Sequence, residues 1–131
     1  EPEDIQQLAS KIKEEDGLKK FEEQLHDRFG PVPAPVFELF DAMRMKWLAT
    51  GLGMEQIILK GKTMRCYFVA NKESAFYSSS VFSKILQYVQ QHRQGIYLRE
   101  TEKFLVLTFE GVKTMKEAEG RLEVLSGWVK E

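Results

Sequence analysis

The chain has 131 residues, 43% of them hydrophobic and 30% charged, which is the size and balance of one ordinary folded domain and excludes disorder of the whole chain. The 19 Lys and Arg stand against 20 Asp and Glu, a formal net charge of -1, so the basic excess that supplies most of a duplex-DNA reader's affinity is missing. No apolar stretch approaches the roughly 20 residues that cross a bilayer, and the single cysteine, Cys66, admits no internal disulfide and reads as a buried thiol in a reducing, cytoplasmic compartment.

The chain begins at Glu1, without an initiator Met, as expected of a piece cut from a longer protein. Ile5, Leu8 and Ile12 recur at helical spacing behind Pro2, so residues 1–17 read as a linking helix before the body of a single domain spanning 1–131. Gly17 interrupts that pattern, and Asp16 is placed to cap the next helix. Leu18, Phe21, Leu25 and Phe29 then form an apolar stripe that Gly30-Pro31 ends, Gly as a left-handed cap and Pro as a stop. Pro31, Pro33 and Pro35 stiffen a short connector, with Pro35 opening a core helix that carries Val36, Leu39, Phe40, Met43, Trp47 and Leu48 to about Gly51.

Ile57–Leu59 and Met64–Val69 flank Gly61-Lys62 and predict a hairpin with a two-residue turn. Ser79 or Ser80 caps a helix bearing Val81, Phe82, Ile85, Leu86 and Val89, which ends around His92–Gly95. Tyr97–Arg99 and Phe104–Phe109 read as two more strands. Thr114-Met115-Lys116-Glu117 matches a capping box for a last helix along Met115, Ala118, Leu122, Leu125 and Val129. The order predicts an α+β fold: an antiparallel sheet built from hairpins, helices packed against it, and an N-terminal helical segment.

No catalytic constellation is legible. The two histidines, His26 and His92, fall on helix surfaces or ends, and neither completes a nucleophile with its base; an enzyme built around Cys66 and His92 ranks last. One Cys and two distant His give no metal-ligand spacing, and Gly51-Leu52-Gly53 follows a helix and leads into a strand, the wrong context for cradling phosphate. No metal and no cofactor is expected. Tyr67, Phe68, Tyr77, Tyr88 and Tyr97 do not interleave with the dispersed Lys and Arg as a base-stacking platform would. One stretch, Gln24–Pro33, stands apart. Gln24, Asp27 and Arg28 share one helical side at i, i+3 and i+4, ahead of a Gly stop and a Pro-stiffened turn. Two readings are open: local capping and pairing, or a rigid polar patch for a partner protein.

The same stretch resembles the C-terminal domain of the bacterial transcription-repair coupling factors (the Mfd, or TRCF domain, family). There a helix ends in Glu-Leu-x-Asp-Arg-Phe-Gly before a Pro-containing turn, as Gln24–Pro33 does here. The likeness continues through Ala42-Met43-Arg44-Met45-Lys46, Leu48-Ala49 and Leu52-Gly53-Met54, covering roughly residues 18 to 58. The resemblance implies a parent that is an ATP-dependent DNA translocase of the helicase class, one that displaces stalled RNA polymerase from DNA and recruits UvrA for transcription-coupled excision repair. It implies that this terminal domain is non-catalytic. It packs on the UvrA-binding module of the same protein, masks the UvrA surface and restrains the motor domains, an autoinhibitory contact.

The family's polar contact residues correspond to Asp27 and Arg28, with Gln24 where the motif has Glu. Gln keeps the hydrogen-bonding capacity and loses the charge, leaving Glu22 or Glu23 as alternative carboxylates. Phe29, Gly30 and Pro33 correspond to the motif's structural residues. The alternative is a nucleic-acid-binding accessory module of a repair helicase, using Lys11, Lys13, Lys19, Lys20 and Arg28.

Overall fold

The structure, a computed structural model, describes residues 15–131. The helix expected over Ile5, Leu8 and Ile12, with Lys11 and Lys13, lies outside the described residues. Helices α1 (Glu15–Phe29) and α2 (Ala34–Gly51) precede strands β1 (Met54–Lys60) and β2 (Thr63–Phe68). A 3-10 turn (Ala75–Ser78), helix α3 (Ser80–Gln91), strands β3 (Ile96–Glu100) and β4 (Leu105–Glu110), and helix α4 (Met115–Val129) complete the chain. This is the expected α+β class. The chain divides into two compact units, the first ending at Trp47 and the second running from Leu48 to Glu131.

In the first unit Leu18, Phe21 and Leu25 of α1 bury against Phe40 of α2, with Val32, Val36, Leu39, Met43 and Trp47 packed around them. Phe21 meets Phe40 edge-on at 6.2 Å between ring centroids, a geometry the ring quadrupoles favour. Two expectations are corrected here. Gly17 does not break the helix and Asp16 does not cap it, since α1 already includes Glu15. A helical Gly costs only about 1 kcal/mol, and burying Leu18 and Phe21 outweighs that. The apolar stripe also stops one turn early, because Phe29 is 62% exposed. The chain turns away at Gly30, and Val32 beyond the turn packs on the cluster instead.

The second unit is organised by its sheet, in the order β1-β2-β4-β3 with every neighbouring pair antiparallel. The predicted hairpin across Gly61-Lys62 forms, and the two later strands pair with each other. Lys60 pairs with Thr63 across Gly61-Lys62, and both turn residues have φ of 61°, the backbone of a type I′ turn. The Lys62 carbonyl accepts the N–H groups of Gly111 (2.9 Å) and Val112 (3.0 Å), tying this turn to the end of β4. Strand side chains alternate between faces. Met64, Cys66, Phe68, Leu107 and Phe109 are fully buried on one face. Phe68 packs there against Phe76 and Phe82, at 5.7 and 5.9 Å between centroids, and Phe109 lies under the Arg121 guanidinium of α4. The opposite face carries Arg65 and Tyr67 of β2 and Tyr97 and Arg99 of β3, all at least partly exposed, flanking Val106 and Thr108 of β4.

The caps follow their sequence signals. Ser79 Oγ accepts from the Phe82 N–H at the start of α3. Thr114 Oγ1 accepts from the Glu117 N–H at 3.1 Å while the Glu117 carboxylate accepts from the Thr114 N–H at 3.2 Å, the reciprocal capping box. The 3-10 turn had no periodic signal. It is set by short polar side chains instead, Asn71 accepting from the Glu73 N–H and Ser74 from the Phe76 N–H. Tyr77 Oη donates to the Val69 carbonyl, closing this loop on the end of β2.

Gly53, at the exit from α2, has φ of 75°, and a Cβ there would overlap the Phe76 ring. Gly53→Ala is expected to lower stability by about 2 kcal/mol or more, from the left-handed backbone and the ring overlap together. Lys62→Asn is expected to raise it by about 0.5–1 kcal/mol, because Asn adopts the left-handed region more cheaply. Urea midpoints measure both, and a fall for Lys62→Asn would contradict the strain assigned to the turn.

Candidate partner-binding site

The helix end at Phe29 explains how the polar residues are held. Gly30, with φ of 81°, donates its N–H to the His26 carbonyl at 2.8 Å and closes the last turn. Nothing would crowd a Cβ on Gly30, so its requirement is conformational. Pro31, Val32 and Pro33 then cross to α2, where the Pro33 carbonyl accepts the Val36 N–H at 3.0 Å. Pro35 sits in the first turn of α2, where its missing N–H costs nothing.

With Leu18, Phe21 and Leu25 turned inward, Gln24, Asp27 and Arg28 face solvent. Gly30, not Arg28, closes the last turn, and neither Asp27 nor Arg28 forms an ion pair among the described residues. The Arg28 guanidinium lies over the exposed Phe29 ring, 5.4 Å from its centroid. The pair combines a cation and an aromatic face. Of the two readings of this stretch, local capping loses its donor and its partner.

Beside the ridge runs an open groove of about 550 Å³, lined by Lys19, Glu22, Glu23, His26 and Asp27 of α1 and by Pro31, Val32 and Phe37 across the turn. The α1 residues lie at i, i+3, i+4, i+7 and i+8, one helical side. Three carboxylates against one ammonium make that wall acidic, and Phe37, 43% exposed, gives the facing wall an aromatic lip. Asp27 lines the groove together with Glu22 and Glu23, while Gln24 and Arg28 do not. The carboxylate that the motif has at position 24 is thus available two residues or one residue earlier, on the groove side of the helix. Spacing alone groups Gln24, Asp27 and Arg28. The groove's contribution from beyond the turn was not legible, since it depends on how the Pro-rich connector folds back.

The remaining sequence candidates do not assemble. Cys66 is fully buried, and burial pushes its thiol up to about 12, so it stays protonated and is a poor nucleophile near neutrality. His92 caps α3, its Nδ1 2.8 Å from the Tyr88 carbonyl and its ring stacked on Tyr88. Among the described residues no group of three metal-ligating side chains converges, and no helix is long and apolar enough to cross a membrane.

The family model described as the TRCF domain matches residues 6–79, more than half of the chain, a span that takes in α1, the Gly30 turn, α2, the first hairpin and the 3-10 turn. Comparison with curated proteins and with solved structures gave no match. On the family match, the chain belongs to the TRCF domain family, the C-terminal domain of transcription-repair coupling factors, and its role lies in coupling transcription to DNA repair.

Proposed function

We propose that this chain is a non-catalytic regulatory domain that folds back on the UvrA-binding module of its own parent protein, masks the UvrA surface and restrains the DNA translocase motor. The observation that carries this reading is that Asp27 and Arg28, at a helix end fixed by Gly30, are exposed and form no ion pair among the described residues. Gln24 extends the ridge as a neutral hydrogen-bonding position. Phe29, expected as a structural residue, becomes an aromatic contact beside Arg28, the residue types that dominate interface energetics. Gly30 and Pro33 set the turn. On this reading the parent, an ATP-dependent translocase of the helicase family, engages RNA polymerase, UvrA and DNA in the cytoplasm, and the domain itself needs no cofactor.

A polar ridge suits a contact that must open. It exposes no large apolar patch when released, and charge pairs reject wrong partners more than they raise affinity. Affinity can stay modest because both halves share one chain. At an effective concentration of about 1 mM, a contact with a Kd of about 100 μM is closed roughly nine-tenths of the time. A differential interaction of only a few kcal/mol with the motor or polymerase then releases it.

The nucleic-acid alternative on α1 has less support. Lys19 and Lys20 are exposed, but Glu22, Glu23 and Asp27 share the helix, so this surface carries no net attraction for phosphate.

Titration of the chain with the parent's UvrA-binding module, followed by amide NMR, tests the proposal. Signals from Gln24 to Gly30 are expected to shift, and Asp27→Ala with Arg28→Ala to weaken binding about tenfold or more. Stationary Gln24–Arg28 signals at saturating module would refute the docking surface.

A further inference from the structure

We propose that the sheet face carrying Arg65, Tyr67, Tyr97 and Arg99, whose side chains flank the buried Val106 and Thr108, is a second binding surface, one that takes single-stranded nucleic acid by stacking bases on Tyr67 and Tyr97 between Arg65 and Arg99. The sheet register produces the arrangement. Tyr67 and Arg99 both pair with Val106, from opposite sides of β4, and Arg65 and Tyr97 both pair with Thr108. With β1 included, the two rows read Gln56-Tyr67-Val106-Arg99 and Ile58-Arg65-Thr108-Tyr97, with the two tyrosines diagonal to each other across the central strand β4. Neighbouring strands lie about 4.8 Å apart and same-face residues about 6.7 Å apart along a strand, so the two tyrosines are separated by about 12 Å.

The interleaving of cations and aromatics that is absent from the linear sequence is present on this face. Residues 30 positions apart come together because β3 and β2 flank the same strand. Tyr67 is held in place by an edge-on contact with Phe104, 5.3 Å between centroids, and the Lys103 ammonium lies over the Phe104 ring at 5.4 Å. Tyr97 is 37% exposed, and Arg65 and Arg99 are exposed with no carboxylate paired to either among the described residues. The two rows hold no acidic side chain. A chain of net charge -1 thus presents a locally cationic surface.

Charge and shape together select the occupant. A broad sheet face cannot enter a duplex groove as a helix or two-stranded ribbon does. It can support splayed bases on aromatic rings while guanidinium groups meet the phosphates. A protein partner would be matched by apolar anchors and mixed charge, whereas here every exposed charge on the two rows is a guanidinium.

Fluorescence anisotropy of a labelled 12-nucleotide oligothymidylate, titrated with the chain at 50 and 200 mM salt, tests this. Binding is expected at the lower salt and weaker at the higher. Tyr97→Ala is expected to lose about tenfold in affinity with the salt slope unchanged, and Tyr97→Phe to retain binding. Arg65→Gln with Arg99→Gln is expected to reduce the slope of log K against log salt by about 1.4. Lys20→Gln, on α1 and outside the groove, is expected to leave oligothymidylate binding unchanged. No anisotropy change at 50 mM salt would overturn the proposal. Binding that survives Tyr97→Ala but is lost with the α1 variant would overturn it equally.

Discussion

The contact that decides what the first unit can do is the burial of Leu18, Phe21 and Leu25 against Phe40. Three α1 residues at helical spacing define one inward stripe, and everything else on the helix follows from that choice. With 18, 21 and 25 inward, 24 and 27 point outward and 19, 22, 23, 26 and 27 line the groove, while 28, seven residues after 21, is exposed because the helix ends at Phe29 and the chain turns away at Gly30. The exposed polar ridge is therefore a geometric consequence of core packing and of where the helix ends. A slip of one residue in the α1 packing would carry Leu25 off the core and rotate Asp27 by about 100°.

Much of this was readable in advance because its causes are local. Gly30 announces a left-handed cap, Thr114 and Glu117 a reciprocal cap, and Gly61-Lys62 a tight hairpin turn. All three act within four residues of the chain, and all three are present. Phe29 leaves the periodic stripe because the chain turns at Gly30. Gly17 stays helical because the burial that outweighs its propensity cost is supplied only by the folded cluster. The groove and the sheet face were illegible for a different reason. The groove needs Pro31, Val32 and Phe37 to return beside α1, and the face needs β4 to insert between β2 and β3. Such non-adjacent pairings leave no trace at short sequence separation.

The sheet order also explains why the second unit can present a cationic face without a basic composition. In the β1-β2-β4-β3 sheet, α3 and α4 pack on the face of the buried Phe68 and Phe109. Period-two alternation then sends Arg65, Tyr67, Tyr97 and Arg99 together to the other face. Whole-chain charge averages over this sorting. A value near zero limits the long-range field, but it does not describe surfaces separated by more than a Debye length of about 8–10 Å.

The two surfaces differ in chemistry. The α1 groove sets Glu22, Glu23 and Asp27 against Lys19, and its neighbour Arg28 backs onto Phe29. Mixed charge of this kind matches a protein of complementary pattern and repels a polyanion from the groove wall. On the sheet rows every charged group is a guanidinium and the aromatic groups are phenols, which a polyanion with planar bases can satisfy at once. If both surfaces are occupied in the parent protein, their responses to salt must differ. A few charge pairs at a protein contact weaken gradually as screening grows, whereas nucleic-acid binding falls as a power of salt concentration through counterion release. Ionic strength therefore separates one contact from the other without altering a residue.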